Sequence, residues 1–369
     1  MNKAFVYAYL QFNLGDDLFV KHLITKYPKT KFYIVADSKY KKVFKKYKNL
    51  IIIPDTVYKF KILNKIKDRL IYYIKKECET VIFIGGSIFM EYPEWKNIID
   101  WYKEMSKNKH CYIIGANFGP YYSDDYLLEC KDYFCTVDDV CFRDKWSYNL
   151  FKDCNTVRYA PDILFGLNVF NYKINSIERK VVISVIDCQS RDSNPNKLSE
   201  YHEQYVDCIK NIIEILNENN FKITLLSFCE QEKDGKAIGE IISGLDQQIA
   251  KNISCFLYDG LNMDTILSEI GTASYIVGTR FHSIILGAIL NKPILPIVYS
   301  NKTKNLLIDV KFLGNIININ EIGSMLIDNN FVMKNYLENI NIQSEQFVKK
   351  SDEHFLEINK SFEYPQTTG

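Results

Sequence analysis

From Ala4 to Val298, apolar runs of strand length alternate with stretches of helix length, and this alternation most narrows the folds open to the chain. The strand-like runs are Ala4–Tyr9, Phe32–Ala36, Leu50–Ile53, Thr80–Ile84, Cys111–Gly115 and Asp139–Phe142. The pattern restarts with Val181–Ile186, Lys222–Ser227, Ile253–Leu257, Tyr275–Val277 and Ile294–Val298. Val57–Lys76 and Trp95–Lys107 are the clearest intervening helices. Strands that alternate with helices imply parallel sheets covered on both faces. A chain of 369 residues also exceeds what one core usually serves. Phe165–Lys180, with Gly166, several Asn and no clear period, reads as the boundary. The expected fold is α/β, with two Rossmann-like doubly wound domains facing a cleft: residues 1–165 and 181–320, joined by a linker at 166–180. Beyond Ile316 the chain reads as mainly helical (Glu321–Asp328, Met333–Leu356), so 321–369 is expected to form C-terminal helices and a polar tail.

Composition excludes several classes. No apolar run approaches the roughly 18 residues of a membrane span, and Met1–Tyr7 reads as a first strand rather than a signal peptide. A cytoplasmic location is expected. The 10 cysteines show no C-x-x-C spacing and the five histidines do not cluster with them, so neither a disulfide framework nor a zinc site is expected. Most of the cysteines should be small buried hydrophobes. Charge is uneven: residues 21–76 hold 17 Lys or Arg against Asp37, Asp55 and Asp68, in a chain of net charge +1. That segment is either a solvated face or a surface for anionic lipid headgroups or an anionic lipid-linked acceptor. Nucleic acid is not an expected partner, because no recognised binding module accompanies the charge.

Ligands of doubly wound sheets bind at the carboxyl ends of strands, so the loops there carry the chemistry. In Asn13-Leu14-Gly15-Asp16, Gly15 suits a tight turn, and Asp16 suits the cap of a helix starting near Leu18. Gly85-Gly86-Ser87 allows close backbone approach to a ligand or positive φ, without the Lys of a phosphate-binding P-loop. Asn117, between Gly115 and Gly119, is placed to bond a sugar or to close an Asx-turn. Arg143-Asp144 and Ala160-Pro161-Asp162 suit capping and turn formation. Gly278-Thr279-Arg280-Phe281-His282-Ser283 sets a cation and an imidazole where a strand hands over to a helix. The helix N-terminus favours an anion there, arginine fits carboxylate or phosphate, and histidine moves protons near neutral pH.

Taken in order, these loops resemble the polysaccharide pyruvyl transferase family over roughly residues 3–310. Pro293–Ile297, followed by Tyr299 and Lys302, fits as well. The resemblance implies a GT-B-like fold and transfer of pyruvate from phosphoenolpyruvate to two hydroxyls of a cell-surface glycan sugar or its lipid-linked precursor, forming a ketal. It implies that Arg280 and His282 are catalytic, with Arg280, Phe281, His282, Arg191 and Lys302 on the donor. Asn13, Gly15, Asp16, Gly85, Gly86, Ser87, Asn117 and Asp162 are the expected acceptor side. No metal and no cofactor beyond phosphoenolpyruvate as co-substrate are expected. One position departs from the family. Where its members commonly carry arginine, at the end of the second domain's first strand, this chain has Asp187, and Arg191 in the loop Asp187–Asn196 is the substitute to look for. The competing expectations are a GT-B-type glycosyltransferase using a nucleotide sugar, and a non-catalytic glycan-binding subunit.

Overall fold

The computed structural model describes residues 2–56, 61–173, 178–191 and 197–363. They form two compact units: Met1–Leu10, Asp16–Ile163 and Lys349–Gly369 in the first, Gln11–Gly15 and Leu164–Val348 in the second. The first unit thus takes in the helix Leu356–Glu363, and the second takes a five-residue piece from the loop after the first strand.

In the first unit β1 (Lys3–Ala8), β2 (Lys31–Ala36), β3 (Leu50–Pro54), β4 (Thr80–Ile84), β5 (His110–Ala116), β6 (Asp139–Phe142) and β7 (Val157–Tyr159) make a parallel sheet in the order β3-β2-β1-β4-β5-β6-β7. In the second, β8 (Lys180–Ser184), β9 (Lys222–Leu226), β10 (Ser254–Phe256), β11 (Tyr275–Gly278), β12 (Ile294–Val298) and β13 (Ile317–Asn318) run parallel in the order β10-β9-β8-β11-β12-β13. Both orders reverse beside the unit's first strand, so each sheet has one topological switch point, β1/β4 and β8/β11.

Side chains explain the layering. β4 and β12 are buried at every position, as strands covered on both faces must be. The helix His202–Glu218 turns Ile209, Ile212, Ile213 and Leu216 to the second core at helical spacing. In the first unit Phe89, Phe118, Phe134, Phe142 and Phe151 interlock, several edge to face, and absorb much of the aromatic excess.

Several local expectations change. Val157–Tyr159 and Ile317–Asn318 are strands, each too short to show a period in sequence. Glu321–Asp328 is not a helix; helices run over Asn329–Leu337, Glu345–Ser351 and Leu356–Glu363. The start of the expected helix, residues 57–60, lies outside the described residues, and the helix is seen over Lys61–Glu77. Cys135 and Cys154 are joined in a disulfide, where no disulfide framework was expected. One ends the helix Asp124–Phe134 and the other follows Lys145–Phe151. The turn through β6 brings their Cα atoms to 5.2 Å, within bridging range. Seven of the remaining cysteines are buried, and Cys255 is exposed. No helix among the described residues is long and apolar enough to cross a membrane.

His354 fastens the returning C-terminal segment to the first unit. Its Nε2–H donates to the Pro161 carbonyl (2.9 Å), and its Nδ1 accepts from the Gly115 N–H (3.3 Å). That pair of bonds fits only the neutral ring. Burial, with Arg158 assisting, holds the imidazole down at about 3, from an ordinary 6.5. Below pH 6.5 the unfolded chain takes up a proton that the folded chain refuses. Stability present above that pH is therefore lost by up to about 1.4 kcal/mol per pH unit as pH falls towards 3. The urea midpoint of a His354→Gln variant is expected to fall less between pH 7 and about pH 4.5 than that of the unsubstituted protein. Equal falls would remove His354 as the acid-sensitive group.

Candidate functional site

The second unit gathers its charged loops at the carboxyl ends of β8, β9, β11 and β12, around the β8/β11 switch point. Arg280 stands at the N-terminus of the helix Phe281–Ile289, which follows β11. Its Nε donates to Asp234 Oδ2 (2.9 Å), Nη2 pairs with Asp234 Oδ1, and Nη1 pairs with Glu232. Asp234 Oδ2 also accepts the N–H groups of Phe228 (2.9 Å) and Cys229 (3.0 Å), so a fully buried anion is held by four N–H donors. Burial opposes the charge on Arg280, but Asp234 and Glu232 raise its pKa well above the ordinary value.

Arg191 reaches the same cluster. Its Nη2 pairs with Glu232, its guanidinium lies 5.3 Å from the Tyr299 ring centre, and its buried Nε has no hydrogen-bond partner. Lys302 lies 6.0 Å from the rings of both Phe281 and Tyr299. Two groups register this concentration of positive charge. Burial pushes Glu232 upwards, yet Arg280 and Arg191 bring it down to about 2. Burial likewise pushes the Tyr299 phenol up, but Lys302, Arg191 and Arg280 outweigh it and hold the phenol below its usual range. Three cations thus surround two carboxylates, leaving a positive surplus beside a buried aromatic wall.

Asp187 ends the segment after β8. It is fully buried, neither carboxylate oxygen has a hydrogen-bond partner, and Lys236 Nζ is 4.0 Å from Oδ1. Residues 192–196 of the loop from Asp187 to Asn196 lie outside the described residues. Below the cluster, Ser184 Oγ accepts the N–H groups of Thr279 (3.1 Å) and Arg280 (3.2 Å) and meets Ser283 Oγ at 2.7 Å. The turn that presents Arg280 is therefore pinned to β8.

His282 is half-buried, its ring 5.1 Å from that of Phe281 and nearly perpendicular to it. Against it lies Gly15, whose piece of chain belongs to this unit: Asn13 bridges to Cys229, and the Leu14 N–H donates to the Phe228 carbonyl (3.0 Å). A Cβ on Gly15 would overlap the His282 imidazole. This corrects the local reading. The helix starts at Leu14 and Asn13 Oδ1 accepts the Gly15 N–H (3.1 Å), so Asn13 caps it, while Asp16 sits in its first turn. Gly15 provides room for the imidazole rather than a turn.

The first unit assembles a separate polar cluster on its own strand ends. Arg143, after β6, donates through Nη1 to Asp162 Oδ2 (2.9 Å) and through Nη2 to Asn117 Oδ1 (2.6 Å). Ser87 Oγ adds a bond to Asn117 Oδ1 at 3.3 Å. The guanidinium lies over Gly86, where a Cβ would come within 2.5 Å of Nη2, and a Cβ on Gly85 would meet Ile88 Cγ2 at 3.0 Å and Asp16 Oδ1 at 3.9 Å. Neither glycine has positive φ; closeness is what requires them, whereas Gly115 and Gly119 do adopt positive φ. Of the expected acceptor residues, Asp16, Gly85, Gly86, Ser87, Asn117 and Asp162 lie in this unit, and Asn13 and Gly15 lie with His282 in the other.

Sequence reasoning passed over Glu232 and Asp234, and assigned Arg143 only to a cap. A signal for the first two exists: Glu230-Gln231-Glu232-Lys233-Asp234 is an acidic run directly after the strand β9. An acidic run there looks like a solvated turn until its partner, Arg280, is known.

No curated protein matches the chain by sequence. Among solved structures it is similar to the Anabaena protein HepE in complex with UDP-glucose, at a TM-score of 0.60 and 11% identity, covering 98% of this chain and 100% of that one. It is also similar to the S. aureus protein MnaA solved with UDP, at 0.57 and 10%, covering 98% and 97%. These likenesses bear on the fold, which is of the GT-B glycosyltransferase type. The profile of one family, described as polysaccharide pyruvyl transferase, matches residues 13–301, which include Arg191, Glu232, Asp234, Arg280 and His282. With most of its length matched, the chain belongs to the polysaccharide pyruvyl transferase family.

Proposed function

We propose that the protein transfers the pyruvyl group of phosphoenolpyruvate to two hydroxyls of one sugar in a cell-surface glycan or its lipid-linked precursor, forming a cyclic ketal and releasing phosphate. The observation that carries this reading is the surplus of positive charge from Arg191, Arg280 and Lys302 beside His282, at a switch point in a chain of this family. The donor brings a carboxylate and a phosphate. Arg191, with an unpartnered buried N–H, and Lys302 offer it direct contacts, while Arg280, fixed by Asp234, acts as a positioned charge.

The chemistry needs three proton movements. A proton added to the methylene carbon makes C2 electrophilic, and one sugar hydroxyl adds there as it loses its own proton. The second hydroxyl then displaces phosphate from C2, and its proton leaves with the phosphate or a nearby base. His282 suits the first transfer as general acid. Asp187, whose carboxylate oxygens lack hydrogen-bond partners and have Lys236 Nζ at 4.0 Å, suits the acceptance of a hydroxyl proton. The cluster of Asn117, Arg143 and Asp162 offers polar groups to a sugar, and Asp16 and Ser87 lie by the same glycines. This reading places the enzyme in the cytoplasm, at the inner face of the plasma membrane when its acceptor is lipid-linked.

The test is phosphate release from phosphoenolpyruvate in the presence of candidate glycans or lipid-linked sugars, with the product checked for added pyruvate by mass. Release that depends on both substrates is the expected result. Tight binding of a nucleotide sugar without phosphate release would replace this reading with that of a glycosyltransferase. Sugar binding with turnover of neither donor would replace it with that of a glycan-binding subunit.

A further inference from the structure

The helix Lys61–Glu77 crosses from β3 to β4, and its residues divide into three stripes at helical spacing. Ile71 and Ile74 pack on the first unit's core. Lys75 follows them inward, 3.2 Å from Met105 Sδ and over the rings of Phe5 and Tyr7. This stripe fixes the helix to the sheet. Flanking it, Ile66, Leu70 and Tyr73 form a second stripe that is 59%, 52% and 51% exposed and that ends in Glu77, which pairs with Lys3. Beside that stripe runs a third, of Lys65, Arg69, Tyr72 and Lys76, all exposed, with the Arg69 guanidinium 5.8 Å from the Tyr73 ring centre.

We propose that this helix is a membrane-contact element, seated in the interface of an anionic bilayer. Ile66, Leu70 and Tyr73 enter the acyl boundary while Lys65, Arg69 and Lys76 lie among the headgroups. Aliphatic side chains aligned beside long cationic ones, on a helix already held by its inner face, match what an anionic interface takes up. Tyrosine favours the same level, with its ring in the apolar layer and its hydroxyl in the wet one. Charge decides between this occupant and a second copy of the chain. A symmetric dimer through the stripe would bring Lys65, Arg69 and Lys76 against themselves, in a region where residues 21–76 hold 17 Lys or Arg and three acidic residues. Three half-exposed side chains also fall well short of the roughly 800 Å² per partner of a stable protein interface.

The experiment is co-sedimentation of the full-length protein with vesicles of phosphatidylcholine alone or with about one third phosphatidylglycerol. It needs no turnover, so it stands or falls separately from the proposed reaction. Binding is expected on the anionic vesicles only, reduced at least tenfold at 0.5 M salt. An Ile66→Ser/Leu70→Ser variant is expected to lose binding tenfold or more. A Lys65→Ser/Arg69→Ser/Lys76→Ser variant should lose the preference for anionic lipid. All these residues are solvent-facing, so both variants should keep the unsubstituted melting temperature. The proposal is overturned if the unsubstituted protein ignores anionic vesicles, or if its binding survives the Ile66→Ser/Leu70→Ser change. It is also overturned if the protein runs as a dimer that this change converts to a monomer, which would give the stripe to a second copy.

Discussion

Replacing Asp234 by alanine is expected to lower the stability of the second unit by about 3–5 kcal/mol and to abolish activity together with it. The carboxylate neutralises the edge of a buried arginine and receives two backbone N–H groups, so its removal leaves the guanidinium with Glu232 alone and strands two donors at once. The double variant Arg280→Met/Asp234→Leu separates the two effects. With both charges gone, most of the lost stability should return, short of about 1–3 kcal/mol for the stranded N–H groups of Phe228 and Cys229. Activity should not return, because the fixed positive charge is absent. Urea unfolding followed by a probe in the second unit, run beside the phosphate-release assay, reads both quantities. Recovery of turnover in the double variant would show Arg280 to be purely a packing residue.

His282→Gln is expected to lower kcat by about 10²–10⁴-fold, the usual contribution of a positioned acid or base, with little change in melting temperature. Glutamine retains a polar group of similar reach but cannot deliver a proton. The result should be lost rate with the donor KM nearly kept, whereas Arg191→Met should mainly raise that KM. Gly15→Ala checks the assignment without touching the imidazole. Its added methyl overlaps the ring, so it should displace His282 and lower kcat at a stability cost of about 1–3 kcal/mol. Full kcat in His282→Gln would remove the proton-transfer role proposed for it.

The fold and its sites were unequally legible. Strand-helix alternation is a local signal, and the long strands follow it: β4, β6 and β12 keep the expected bounds. β7 and β13 are three and two residues long and exist only because a neighbouring strand pairs with them. The Arg280 turn was visible because its residues are contiguous. Its partners were not: Glu232 lies 48 residues away and Asp234 lies 46, and neither contact leaves a local trace. Gly15 makes the same point. Its sequence neighbours suggest a turn, but its cause is the imidazole of His282, distant in sequence.

The placement of the chain's last segment bears on how the molecule is made. Strands β1 to β7 have all been synthesised once Tyr159 is added, yet the ring that locks Gly115 and Pro161 arrives with His354. While Leu164–Val348 of the second unit is synthesised, the first sheet waits with that surface uncovered. A stall anywhere between Ile163 and Lys349 would therefore release a nascent chain whose earliest structure is still unfinished, an open substrate for chaperones and proteases.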